Sequence, residues 1–183
     1  MVVNHLKQDS MKNDTEVSKE LKSVAIGLGL CNEWQNDWRD EDKHSMCEMY
    51  VRGIDFCISN DYPSAEYMKE NFDGIMQEHN IYVDDHKDIK VNGKGVYRGV
   101  INGNSEINID FSGFKIVDLY VRHNSKVNIT IGGLTKVHVS VYDNAIVNMR
   151  SRSILSQGFI KKFSHKCLVY ANDVGIKIRE YER

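Results

Sequence analysis

Asp118, Tyr120, His138 and Ser140 come nearest, in this chain of 183 residues, to a set that does chemistry. Asp118 and His138 are 20 residues apart, as are Tyr120 and Ser140. Each pair alternates with apolar residues, Val117/Leu119/Val121 in one segment and Val137/Val139/Val141 in the next. In a strand that alternation sends the apolar set to one face and the four polar residues to the other. If the segments are neighbouring strands, Ser140, His138 and Asp118 meet as nucleophile, base and orienting acid, the set that acyl transfer uses. An outward strand face is open to water, however, and no nucleophile-elbow or oxyanion-hole motif surrounds Ser140. The expected role of this face is therefore a contact surface, and the class expected is binding or assembly rather than catalysis.

What would position these residues is a 20-residue repeat. Asn104-Ser105-Glu106-Ile107-Asn108-Ile109 returns as Asn124-Ser125-Lys126-Val127-Asn128-Ile129 and as Asn144-Ala145-Ile146-Val147-Asn148-Met149. Gly93, Gly113 and Gly133 keep the same interval. A repeat of this length, carrying two alternating strands and two turns per unit, predicts a short parallel β-solenoid whose rungs stack at the strand spacing of about 4.8 Å. Its interior columns are expected to be Ile107/Val127/Val147, Ile109/Ile129/Met149 and Leu119/Val139/Phe159. Asn104, Asn124 and Asn144 are expected to stack as a ladder at a turn, in left-handed backbone. An antiparallel β-sandwich is the alternative, since regularly spaced strands with turn residues also describe it.

Ahead of the repeat the period is helical. Leu21, Val24, Ala25 and Leu28 share one face, Met46, Met49, Tyr50, Gly53, Ile54 and Cys57 form the stripe of a longer helix, and Pro63-Ser64 opens another that carries Tyr67, Met68 and Phe72 inward. The fold class is thus α+β: a tail over 1–14, a helical domain over 15–80, and a solenoid over 84–183 that ends in a cap strand at Val174–Arg179.

Charge is divided between these halves. Through Asp88 there are 19 acidic and 9 basic residues, a net of −10; from Ile89 there are 7 and 15, a net of +8. That split favours self-association between unlike ends or an anionic partner. Candidate binding residues are Tyr120 and the basic set Arg150, Arg152, Lys161 and Lys162, which suit a nucleic acid or other polyanion as a second type of partner. A homo-oligomer with its contact at the C-terminal strands is expected, and a protein partner besides.

His79, Asp84, Asp85, His86 and Asp88 cluster at the junction without the spacing of an EF-hand or a zinc site, so no metal is expected. Gly93, Gly95 and Gly99 lack the lysine and the helix of a phosphate loop, and no cofactor is implied. Cys31, Cys47, Cys57 and Cys167 form no C-x-x-C pair and are expected as buried free thiols, consistent with a cytoplasmic setting. The apolar run Val24–Cys31 is too short to span a bilayer, and no membrane association is expected.

Val141-Tyr142-Asp143-Asn144-Ala145-Ile146-Val147 resembles a unit of hexapeptide-like β-helix proteins, which implies coil geometry and no acyltransferase chemistry. Gly29-Leu30-Cys31-Asn32-Glu33-Trp34-Gln35, Gly53–Ile58 and Asp61-Tyr62-Pro63-Ser64 resemble uncharacterised proteins of gut Bacteroidales and their phages. That likeness implies a phage or mobile-element setting, as a host-protein-binding effector or a virion component. The competing expectation is an enzyme or binder that acts on an anionic polymer, polysaccharide or nucleic acid, along the β-face.

Overall fold

A computed structural model describes residues 12–39, 42–171 and 173–181. The chain divides into two compact units, 1–75 and 76–183. The expected tail lies, except for its last residues, outside the described part. Among the described residues no helix is long and apolar enough to cross a membrane.

The first unit contains α1 (Asp14–Gly27), α2 (Asn32–Asn36), α3 (Lys43–Arg52), α4 (Ile54–Asn60) and α5 (Ala65–Phe72). Asn13 opens α1 with a capping box: its side chain accepts from the Glu16 amide, and the Glu16 carboxylate accepts from the Asn13 amide. The buried face of α1 is Val17, Ser18, Leu21 and Ala25, one step round from the stripe expected, and Val24 and Leu28 are exposed. The longer helix is broken into α3 and α4 at Gly53, where a Cβ would lie 3.3 Å from the Met49 carbonyl oxygen and 3.5 Å from the Trp34 ring. Its stripe residues Met46, Met49, Tyr50, Ile54 and Cys57 are nevertheless all buried. Ser64 caps α5 by accepting from the Tyr67 amide, and Met68 and Phe72 are buried while Tyr67 is half-exposed.

The second unit opens with a 3-10 turn, Met76–His79, and β1 (Ile81–Val83). Then follow β2 (His86–Val91), β3 (Lys94–Asn102), β4 (Glu106–Phe111), β5 (Phe114–Val121), β6 (Lys126–Ile131), β7 (Lys136–Val141), β8 (Ile146–Ser151), β9 (Gln157–Lys162), β10 (Leu168–Ala171) and β11 (Ile176–Glu180). They form two sheets, β1-β3-β5-β7-β9-β11 and β10-β8-β6-β4-β2, in which every neighbouring pair is parallel. This is a parallel β-solenoid of about five turns, and all-parallel pairing excludes the β-sandwich.

Packing between the sheets follows the alternation. Ile107, Val127 and Val147 stack with at most 1% of their surface exposed, and Ile109, Ile129 and Met149 stack beside them. The third column departs from expectation: Val139 stands opposite Ile160, and Phe159 stands opposite His138 on the outer face. The turn Arg152–Ser156 has one residue more than Gly132–Thr135, so the interval lengthens from 20 to 21 there. At the opposite corner Asn104, Asn124 and Asn144 do form a ladder, each Nδ2 donating to the preceding Oδ1 at 3.2 and 3.1 Å. The left-handed residues are their predecessors Gly103, His123 and Asp143, whose φ values are 69°, 55° and 56°. The Asp143 carboxylate accepts from the His123 amide, and His123 Nδ1 accepts from the Gly103 amide, so this corner is bonded along the axis as well as across the rungs.

Charged side chains occupy interior positions at both ends. Lys87, in register with Ile107, lies 5.0 Å above the Tyr82 ring and 3.5 Å from Asp85. Lys162, in register with Val141, pairs with Glu180 at 2.5 Å. β2 is an edge strand, so the inward charge of Lys87 opposes the addition of a further strand, because pairing would bury it.

Candidate functional site: the outward faces of the solenoid

The first sheet brings together the residues that the spacing singled out. Asp118 stands beside His138, and Tyr120 beside Ser140, on β5 and β7. Their side chains do not form a triad. Asp118 lies 4.0 Å from Arg98, and the His138 ring stacks on Phe159 with centroids 5.0 Å apart and planes 17° from parallel. Among the described residues no hydrogen bond joins His138 to Asp118 or to Ser140. Without such a bond Ser140 lacks the base contact that a nucleophile needs.

Partial burial of His138 lowers its pKa; the positive charges of Lys136 and Lys161 act the same way, and Asp118 opposes them. The folded protein therefore takes up this proton at lower pH than the unfolded chain does. As pH falls through the ordinary imidazole range, the unfolded state is protonated first and stability is lost; above that range the contribution is complete. Urea unfolding at about pH 5 and about pH 8 should show a smaller pH dependence for His138→Gln than for the parent chain. Equal dependence in the two would show that burial does not hold His138 neutral.

The proposed binding residues are scattered. Tyr120 and Lys161 face outward on the first sheet, two rungs apart. Arg150 is on the second sheet and donates from Nε to Thr130 Oγ1 at 3.0 Å, and Arg152 at the corner pairs with Asp110 at 2.5 Å. Lys162 is turned inward toward Glu180. The two arginines and Lys162 are thus already engaged by the protein. At the junction, Asp84 accepts from the Asn104 amide and Asp85 pairs with Lys87, and the described residues contain no cluster of three or more metal-ligating side chains. Cys47, Cys57 and Cys167 are buried free thiols, whereas Cys31 is exposed where it precedes α2. Burial pushes the Cys47 thiol up to about 12, which makes it unreactive.

Two features were not anticipated. At the corner between β4 and β5 and its equivalents in later rungs, large apolar side chains point into solvent: Phe114 58%, Leu134 52%, Leu155 61% and Ile154 100% exposed, with Val96 and Ile116 next to them on the first sheet at 71% and 49%. The signal was present, because Phe114 and Leu134 follow Gly113 and Gly133 at the repeat interval. The second is a row of amides on the second sheet. Asn108 Nδ2 donates to Asp88 at 2.7 Å, Asn128 to Asn108 at 2.8 Å and Asn148 to Asn128 at 2.9 Å. A groove of about 620 Å³ runs along this row, and another of about 570 Å³ lies on its other side.

The helical unit has an apolar cleft of its own, about 400 Å³, lined by residues that include Trp34, Trp38, Met49 and Phe56. Arg52 at its rim lies over the Trp34 ring and pairs with Asp37. Comparison of the chain with protein-family models, with curated proteins and with solved structures finds no match to any of them.

Proposed function

We propose that the protein is a non-enzymatic binding and assembly module in which the apolar corner of one solenoid packs against that of a second copy. One observation carries this: six large apolar side chains are at least 49% exposed in one contiguous stripe. Monomeric soluble proteins seldom leave such a patch uncovered. Its exposed area is on the order of the roughly 800 Å² that each partner contributes to a standard interface.

The order of residues along the stripe suits a second copy. A two-fold axis crossing it between the Phe114 and Leu134 rungs sets Phe114 of one copy against Leu134 of the other, and brings the aliphatic stem of Lys94 onto Ile154 and Leu155. The Lys177, Arg179 and Glu180 side chains of β11, the C-terminal edge strand of the first sheet, work against strand addition there. The contact is therefore placed at the corner rather than on the C-terminal strands. The likeness of the helical segments to proteins of gut Bacteroidales and their phages supports a virion component or a host-directed effector as the setting, with a further protein as partner.

Light scattering at tens of micromolar decides the matter. A dimer is expected at low and at high salt, because an apolar contact is not screened, whereas association driven by the charge split would dissolve as salt rises. Phe114→Asp combined with Leu134→Asp should give a monomer with an unchanged circular dichroism spectrum, since both side chains already stand in water. A monomeric parent protein at both salt concentrations would overturn the proposal.

A further inference from the structure

We infer that the amide row of the second sheet is a binding site for a neutral, linear polysaccharide that lies along the solenoid axis. The row extends over four rungs from Asp88 to Asn148, and a fifth rung places Tyr170 in register after Asn148. Each Asn side chain carries two N–H donors and an oxygen with two lone pairs. The ladder uses one donor of each, and the oxygens of Asn108 and Asn128 accept one bond apiece. One donor and at least one acceptor site therefore remain on each of the three Asn rungs, facing water in the grooves. Neighbouring rungs are about 4.8 Å apart, which is close to the length of one pyranose unit in an extended β-linked chain. A sugar hydroxyl both donates and accepts, so an amide presenting one of each per rung is its natural complement.

The ladder also organises these groups. An isolated surface Asn samples several rotamers and loses that freedom on binding. Here each amide is already held by its neighbours, with its orientation set by the direction of the chain of bonds that ends on the Asp88 carboxylate. Tyr170, 54% exposed at the last rung, supplies an aromatic face against which the apolar face of a sugar ring can stack.

Charge selects a neutral ligand over a polyanion. The acids Asp88, Glu106, Asp110 and Asp173 line the two grooves against an equal number of Lys and Arg residues. Four of these charges are partnered as well: Glu106 with Lys126 at 2.8 Å, Asp110 with Arg152, and Lys87 with Asp85. Nucleic-acid binding draws its affinity from unpaired cations that displace counterions, and no excess of them exists here.

The test is affinity electrophoresis of the full chain through native gels containing glucomannan, mixed-linkage β-glucan or xylan, with polygalacturonate and oligothymidylate as anionic comparators. At least one neutral polymer should retard the protein, and neither anionic one should. Tyr170→Ala and Asn148→Ala should each weaken retardation about tenfold. Tyr170 takes no part in the ladder and Asn148 is its last member, so both variants keep the remaining ladder bonds. The corner variant with Phe114→Asp and Leu134→Asp should still bind, which separates this site from the assembly contact. Passage without retardation through all three neutral gels, a preference for the anionic polymers, or undiminished binding by both site variants would each overturn the assignment.

Discussion

Replacing Val127 with Asp should cost about 4 kcal/mol, the order expected for an unpaired carboxylate placed in a core. Val127 is 1% exposed and lies between Ile107 on one rung and Val147 on the next, and Lys87, the polar member of its column, is two rungs away. The carboxyl group must be buried as a charge, buried protonated without a partner, or brought out by opening the rung. Opening is the worst of these in a solenoid, because each rung contacts only its neighbours and a break at the middle separates the two ends of the core. For a domain of this size the loss corresponds to a fall in melting temperature of roughly 15–25 °C. Lys126→Ala is the matched control: the side chain is outward on the same strand and its exposed pair with Glu106 contributes less than about 1 kcal/mol. Similar melting of the two variants would mean that the strand presents its other face to the core, since a slip of one residue exchanges the faces.

Much of this register can be read from the repeat. Wherever turns have equal length, an interval of 20 carries a residue to the same place on the next rung, which is why the columns through Val127 and Ile129 and the ladder through Asn124 stand where expected. The reading fails at β9 for a physical reason. Gly158 and Lys162 occupy inward positions there, leaving Ile160 as the single apolar side chain that marks the interior, and alternation too weak to show its own phase cannot reveal the extra residue in Arg152–Ser156. Phe159, counted from Val139, thus belongs to the outer face with His138. The left-handed residues were displaced by one position for a related reason: Asn tolerates that backbone, but so do glycine, histidine and aspartate, and composition does not say which of two adjacent candidates turns.

The candidate site was less legible than the fold. Spacing placed Asp118 beside His138 correctly, yet whether they bond depends on rotamers, and the ring of Phe159, itself misplaced by the insertion, decides the orientation of the imidazole. The row Asn108, Asn128 and Asn148 lay in the repeated phrase from the start. Its significance depended on the Oδ1 of one rung falling within reach of the Nδ2 of the next, a distance that follows from parallel stacking and not from composition. In the helical unit, Gly53 sits in an apolar stripe that reads as continuous, and the break shows only in the structure, where a Cβ at Gly53 would crowd the Met49 carbonyl oxygen.

Three glycines in equivalent or adjacent turn positions should respond to the same substitution in a graded order. Gly113 has φ +94°, and a Cβ there would lie 2.3 Å from the carbonyl oxygen of Gly93, the group that accepts the Phe114 amide at 2.9 Å. Alanine must both adopt left-handed backbone, at about 1–2 kcal/mol, and push apart two rungs whose backbone bond cannot bend around a methyl group, so Gly113→Ala should cost about 3 kcal/mol in all. Gly93 has a similar φ of +92°, but as the first-rung member of the column it has nothing within 4 Å of a built Cβ. Gly93→Ala should therefore show the backbone cost alone, about 1–2 kcal/mol. Gly132 is free of the left-handed requirement, and its nearest neighbour, the Phe111 carbonyl oxygen, is 3.8 Å away. There alanine restricts the unfolded chain without straining the folded one, and Gly132→Ala should be neutral or stabilising by up to about 1 kcal/mol. Denaturant midpoints of the three variants measure this order directly. If Gly93→Ala and Gly113→Ala lose the same stability, the close approach of successive glycine turns is not what holds the rungs at this corner, and the left-handed backbone alone explains why glycine stands there.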